Sequence, residues 1–316
     1  MKQIAILDDY QRQALSSADW NSLAEACAVT VFDRHLGGED EVAAALEPFH
    51  IVVCMRERTP FPASLLARLA NLELLVTTGL RNLAIDMEAA KRHDVTVCGT
   101  AMTSHAAFEH TWALILALAK NIPAEDRLMH AGGWQAGPGI GLEGKTLGVL
   151  GLGKLGSQSA ALGNAFGMRV VAHSANLSDD RAVECSAERL GLDDLLAQSD
   201  IVTVHLVLSD RTRALIGARE LGLMKPSACL VNTSRGPIVD ERALIEALRR
   251  KSIRGAGIDV YAVEPLPAEH DLRKLDNAVL TGHTGYVIEE MYALAYGQAI
   301  EDIQAWLADE PLRLLN

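Results

Sequence analysis

Three glycines in the spacing GxGxxG, within Gly151-Leu152-Gly153-Lys154-Leu155-Gly156, narrow the folds open to this chain more than any other stretch of its 316 residues. Alone the pattern is weak, but its surroundings are informative. The apolar run Thr146–Leu150 precedes it, a helical pattern over residues 157–166 follows, and a second β-branched run starts at Arg169. A strand, a glycine turn and a helix in that order predict a parallel α/β unit whose helix N-terminus offers NH groups to an anion. Gly151 would permit the tight turn, Gly153 would let backbone approach a pyrophosphate, and Gly156 would let helix and strand pack closely, with Lys154 and Leu155 in the same turn. The reading is a dinucleotide site. One part of the pattern is missing. The strand after the glycine helix should end in an acid that binds the ribose hydroxyls, yet it runs Val171-Ala172-His173-Ser174 and the next carboxylate is Asp179. With Ser174 there, nothing repels a 2′-phosphate, so NADP is expected to serve as well as NAD.

Strands and helices alternate on both sides of this unit. Short apolar runs at residues 3–8, 29–32, 51–55, 74–77 and 95–98, separated by helical stretches, predict a first parallel-sheet lobe. From Ser104, a plausible N-cap, the pattern lengthens to about Met129 as one helix, too long for an ordinary crossover, which reads as an interdomain helix. A second series follows at 146–150, 169–172, 201–205, 229–232, 257–260 and 278–280. The last helix, about 288–307, comes after the second sheet is complete and is expected to fold back on the first lobe. The expected domains are 1–100 with 286–316, and 101–285.

Composition limits the partners. At 49% hydrophobic and 22% charged the chain can bury the core of two domains, and its net charge of −12 opposes attraction to nucleic acid or anionic lipid. The longest apolar run, near 111–119, is well short of the roughly 20 residues that span a bilayer, and no signal peptide precedes Ile4. Cys27, Cys54, Cys98, Cys185 and Cys229 have no CxxC spacing, so no metal site and no disulfide framework is expected, and a cytoplasmic setting fits. Trp112, Trp134 and the cysteines read as core or interface residues.

Four motifs together carry a resemblance that covers nearly the whole chain. They are the glycine loop; Asn232-Thr233-Ser234-Arg235-Gly236-Pro237-Ile238-Val239-Asp240; Gly257-Ile258-Asp259-Val260-Tyr261 with Glu264-Pro265; and Thr281-Gly282-His283-Thr284-Gly285. The chain resembles the D-isomer-specific 2-hydroxyacid dehydrogenases, which include glyoxylate/hydroxypyruvate reductases and phosphoglycerate dehydrogenases. The resemblance implies two doubly wound lobes, a Rossmann nucleotide-binding lobe and a flavodoxin-like substrate lobe, with the active site in the cleft between them; because Arg81 belongs to one lobe and Arg235, Glu264 and His283 to the other, cleft closure is expected during turnover. It implies an NAD(P) cofactor, a small 2-keto or 2-hydroxy acid substrate, and a homodimer. By the same resemblance Arg235 binds substrate, His283 is the general acid/base supported by Glu264, Asp259 contacts the nicotinamide end, and Thr233 and His205 line the cofactor. Leu80, Arg81 and Asn82, in the loop after Thr77, would hold the substrate carboxylate. Gly282 and Val207 stand where the family commonly has proline, which affects loop stiffness and not the chemistry. No regulatory domain follows residue 316, so feedback control by serine is not expected.

The residue types suit that chemistry. Reducing a 2-keto acid takes a hydride donor, a cation for the carboxylate and an acid for the carbonyl oxygen. Arginine's planar fork donates two parallel bonds to a carboxylate, and Arg235 follows a strand, where open α/β sheets bind ligands. His283 also follows a strand, and histidine changes protonation near neutral pH. Glu264 could fix its tautomer by accepting from the other ring nitrogen. Formate dehydrogenases of this fold use glutamine there, so a carboxylate favours hydroxyacid chemistry. Arg56 and Arg58 add positive potential at the edge of the first lobe or pair with Glu57, while His105 and His110 read as helix-packing or interlobe groups. The rival of another class is a dinucleotide-sensing interaction protein of the corepressor type, which would bind cofactor and turn over little.

Overall fold

The computed structural model describes residues 1–103 and 105–316. The chain divides into two compact units, Met1–Thr103 with Val287–Asn316, and Ser104–Tyr286.

The first unit is built on parallel strands β1 (Lys2–Ile6), β2 (Cys27–Val31), β3 (Ile51–Cys54), β4 (Leu74–Thr77) and β5 (Thr96–Gly99), in the order β2-β1-β3-β4-β5. Every residue of β3 and β4 is buried, as expected of central strands with both faces covered. Helix Glu289–Leu307 belongs to this unit and packs on β4, burying Tyr292, Tyr296 and Ile303. The chain then turns back along β5, where Leu315 N donates to Val97 O at 2.8 Å and Arg313 Nε donates to the buried Asp302 at 2.9 Å.

The second unit holds β6 (Thr146–Leu150), β7 (Arg169–His173), β8 (Glu188–Arg189), β9 (Ile201–Val204), β10 (Cys229–Asn232), β11 (Gly255–Ile258) and β12 (Ala278–Leu280), all parallel in the order β12-β11-β10-β9-β6-β7-β8. The order reverses between β6 and β9, so the carboxyl ends of those strands flank the crevice where such sheets take ligands. No apolar pattern marks β8, which is two exposed charged residues whose strand pairing is with β7. Strand β11 starts two residues earlier than hydrophobicity suggests. Its glycines let helix His105–Ala119 lie close: a Cβ on Gly257 would meet Leu114 and Leu118 at 3.2 Å.

Two expectations are corrected. The single helix over 104–129 is two, His105–Ala119 and Ile122–His130. Asn121 between them takes a left-handed φ of 56°, and Pro123, which has no NH to donate, fits only the first turn of the second helix. The proposed cap Ser104 lies outside the described residues. Trp134 is no core residue, being 73% exposed, whereas Trp112 is buried and stacks on Phe166. Among the described residues no helix is long and apolar enough to cross a membrane.

Candidate active site

The glycine turn is dictated by sterics. Gly151 has φ +95°, and a Cβ there would lie 2.8 Å from the carbonyl oxygen of His205 at the end of β9. A Cβ on Gly156 would sit 1.9 Å from Gly151 O, so only glycine lets helix Lys154–Ala165 start this close to β6. A Cβ on Gly153 would meet open space, which leaves its backbone accessible to a ligand, with exposed Lys154 and half-buried Leu155 beside it. The turn therefore fits a dinucleotide pyrophosphate at a helix N-terminus.

At the end of β7, His173 Nδ1 lies 3.0 Å from Leu190 O, and half-buried Ser174 follows. Arg189 on β8 is in register with Ala172. Ala172 precedes Ser174 by two residues, and β7 ends at His173 between them. Arg189 there pairs with Asp179 at 3.1 Å. Burial pushes the His205 imidazole down to about 4, so it is neutral near pH 7, and its Nε2 lies 3.1 Å from Thr203 Oγ1. Its backbone walls the glycine turn.

The other candidates follow the neighbouring strands β10, β11 and β12. After β10, the buried Asn232 side chain ties its own loop, donating to Arg235 O at 3.0 Å and accepting from Ser234 N at 3.1 Å. Ser234 Oγ donates to Leu206 O. Arg235 is half-buried, and Gly236 must be glycine because a Cβ would lie 2.1 Å from the Tyr261 carbonyl. Tyr261 also donates its NH to Glu264 Oε1 at 2.9 Å and its hydroxyl to Thr281 O at 2.7 Å, so three loops pack on one ring and backbone.

Glu264 Oε2 is 2.6 Å from His283 Nδ1. The carboxylate assigns the proton to Nδ1 and leaves Nε2 unprotonated in the neutral ring. His283 itself sits at φ 55°, a conformation that the surrounding contacts must hold. Asp259, 1% exposed, supplies much of that hold. Its carboxylate accepts from Thr281 Oγ1 at 2.6 Å, Thr284 N at 2.8 Å and Gly285 N at 3.0 Å, and its carbonyl accepts from His283 N at 2.7 Å. Burial works against the charge, but the bonds from His110 and Thr281 keep this carboxyl below the usual carboxylate range.

From sequence His110 reads as a helix-packing or interlobe group and not as a hydrogen-bond partner of the site. Its Nε2 is 2.9 Å from Thr281 Oγ1 and 3.3 Å from Asp259 Oδ1, behind the His283 loop. The available signal was an adjacent His-Thr pair in an otherwise largely apolar helix. Thr233 Oγ1 is 2.7 Å from Thr111 Oγ1 on the same helix.

In the first unit, the loop after β4 is organised by Asn82, whose amide donates to Arg56 O at 2.7 Å and Thr77 Oγ1 at 2.9 Å. Its side chain is spent on the loop, while Leu80 and Arg81 are exposed. Arg56 lies 3.6 Å from Glu57, and Arg58 donates to Asp8 O. Among the described residues no cluster of His, Cys, Asp or Glu could hold a metal ion.

Residues 112–285 match the NAD-binding domain of D-isomer specific 2-hydroxyacid dehydrogenases. The chain is 42% identical over 243 residues to glyoxylate reductase of Aeropyrum pernix, covering 73% of this chain and 72% of that protein. It is 35% identical over 269 residues to D-3-phosphoglycerate dehydrogenase of Synechocystis sp., covering 84% of this chain and 48% of that protein, and so spans about half the length of that relative. The solved structure of a phosphoglycerate oxidoreductase from Vibrio cholerae superposes with a TM-score of 0.92 at 35% identity, covering 98% of this chain and 100% of that one.

Proposed function

The chain belongs to the D-isomer-specific 2-hydroxyacid dehydrogenase family, and we propose that it reduces a small 2-keto acid of the glyoxylate or hydroxypyruvate type, accepting NADPH at least as readily as NADH. The observation that carries the chemistry is the 2.6 Å contact between Glu264 and His283 Nδ1. The nicotinamide, when bound, supplies the hydride. The chain's residues supply the proton and the hold on the acid. With Glu264 stabilising the imidazolium, His283 Nε2 delivers a proton to the carbonyl oxygen as its carbon becomes tetrahedral, and the neutral ring keeps its Nδ1 proton on Glu264. Arg235 grips the carboxylate through its two-nitrogen fork. The loop of Leu80, Arg81 and Asn82 remains a substrate-binding candidate on the family resemblance.

Gly151, Gly153, Lys154, Leu155 and Gly156 would hold the pyrophosphate, with Thr233 and Asp259 toward the nicotinamide and the His205 backbone as a wall. Tolerance of NADPH is supported by Ser174 in place of an acid and by Arg189, in register with Ala172 two residues before it. The small acid is favoured by the 42% identity to a glyoxylate reductase. A phosphoglycerate-type substrate is the second reading, favoured by the structural likeness to the Vibrio protein. Steady-state kinetics with glyoxylate, hydroxypyruvate and 3-phosphohydroxypyruvate, each with NADH and NADPH, tests both. Glyoxylate or hydroxypyruvate should give the highest kcat/KM. Cofactor binding without reduction of any acid overturns the proposal in favour of dinucleotide sensing.

A further inference from the structure

We infer that His110 and Thr111, adjacent on helix His105–Ala119, are positioning residues that brace the two loops bearing His283 and Arg235 at a fixed spacing. The inference rests on the dehydrogenase reading above.

The hydrogen-bond senses follow from counting protons. The single hydroxyl proton of Thr281 goes to Asp259 Oδ1 at 2.6 Å, so the Thr281 oxygen accepts from His110 Nε2 at 2.9 Å, which must carry its proton. The Thr111 hydroxyl donates to Ala107 O at 2.8 Å, so it accepts from the Thr233 hydroxyl at 2.7 Å. The helix thus gives one bond to the His283 loop and takes one from the Arg235 loop. Each is a link to a buried or half-buried partner, with His110 19% exposed and Asp259 1% exposed. The His283 loop is seated on this helix: a Cβ on Gly285 would meet Asp259 Oδ2 at 3.1 Å and His110 Cδ2 at 3.7 Å.

Such a brace has work to do. His283 is held at φ 55°, and the reaction needs one small acid to meet both the arginine fork and the imidazole. A displacement of about 1 Å at either group costs on the order of a hundredfold in rate. Two neighbouring residues of a rigid helix bind both loops and so set their separation. His110 touches neither substrate nor cofactor in this scheme. It acts through Thr281 and Asp259.

His110→Phe keeps the ring volume and removes the donor, whereas His110→Gln restores an NH at similar reach. The Phe variant should lose about ten- to a hundredfold in kcat with the NADPH dissociation constant within about threefold of wild type, and Gln should regain most of the loss. The pH profile of kcat should move in Phe and return in Gln. Thr111→Val should raise KM for the keto acid about tenfold with little change in kcat. Equal losses in Phe and Gln with an unmoved pH profile, or wild-type kinetics in Phe, would overturn the inference. Should His110→Phe fail to fold, Thr281→Val cuts the same link from the loop side and should show the same kcat loss. The proton resonance of His283 Nδ1 provides a readout independent of turnover: it should shift in Phe and not in Gln, and an unmoved signal in Phe counts against the brace. A wild type that reduces no 2-keto acid fails the dehydrogenase reading instead, and the resonance still decides the bracing.

Discussion

The glycine loop and the His283 loop lie at the carboxyl ends of the same sheet and keep their shapes by opposite means. At the glycine loop the shape comes from what is missing: Gly151 takes φ +95°, and a Cβ on Gly156 would lie 1.9 Å from Gly151 O. At the His283 loop the non-glycine residue is itself left-handed, at φ 55°, and side chains from two other segments, Asp259 with Tyr261 and His110, hold it there. The first loop is thus local, carrying its conformation in six consecutive residues. The second depends on Asp259, Tyr261, Glu264 and His110, which only the tertiary fold gathers. Each should therefore fail differently when altered.

The largest effect is expected at the gathered loop. His283→Ala should lower kcat by roughly a hundredfold or more, the scale of losing a general acid, while NADPH binding measured by fluorescence stays close to wild type. Near-normal turnover would remove His283 from the chemistry. The converse is expected at the local loop. Gly156→Ala should weaken cofactor binding by about tenfold or more and cost about 1–3 kcal/mol of stability through overpacking, with kcat at saturating cofactor much less affected. Unchanged cofactor affinity in that variant would break the contrast between the loops.

A smaller effect is expected where β7 ends. Ser174→Asp should swing the NADPH-to-NADH ratio of kcat/KM toward NADH by about tenfold through like-charge repulsion, and Arg189→Ala should move it the same way by less. A ratio that moves in neither variant would mean that another residue reads the ribose.

The smallest effect sharpens the comparison through two buried aspartates. The Asp259 carboxylate accepts from Thr281 Oγ1, Thr284 N and Gly285 N and is held below the usual carboxylate range. Asp302, wholly buried in the first unit, has Arg313 on Oδ1 and no hydrogen-bond partner on Oδ2 among the described residues, and burial pushes its carboxyl up to about 6. A carboxyl with a raised folded value binds its proton more tightly when native. Its stabilising contribution is therefore complete below about pH 4 and is lost as pH rises through about 6, an effect of about 3 kcal/mol. Asp302→Asn should erase that slope, so the melting temperature of wild type relative to the variant should fall by a few degrees between pH 4 and 7. Parallel curves for the two proteins would show that Asp302 titrates normally.

Much of the fold was legible because its signals are local. Leu74–Thr77, Thr146–Leu150 and Cys229–Asn232 are apolar runs whose bounds coincide with the strands formed, since inner parallel strands are buried on both faces. The break at Asn121 was obscured by a helical periodicity that continues on both sides of it. Strand β8 was hidden because exposed Glu188 and Arg189 are strand only through pairing with β7.

By itself the sequence determined two parallel-sheet units and a glycine turn, and its motifs singled out the candidate acid His283, its carboxylate Glu264 and Arg235, because glycine sterics, strand hydrophobicity and motif spacing act over a few neighbouring residues. The tertiary structure alone decided which groups hold those residues to their task. Asp259 has its oxygens on the His283 loop, Asn82 spends its amide on its own loop, and His110 reaches Thr281 across 171 positions of chain. Such contacts leave no periodic trace, since a hydrogen bond between distant segments depends on where the folded sheet and helix place two side chains and not on the residues beside either.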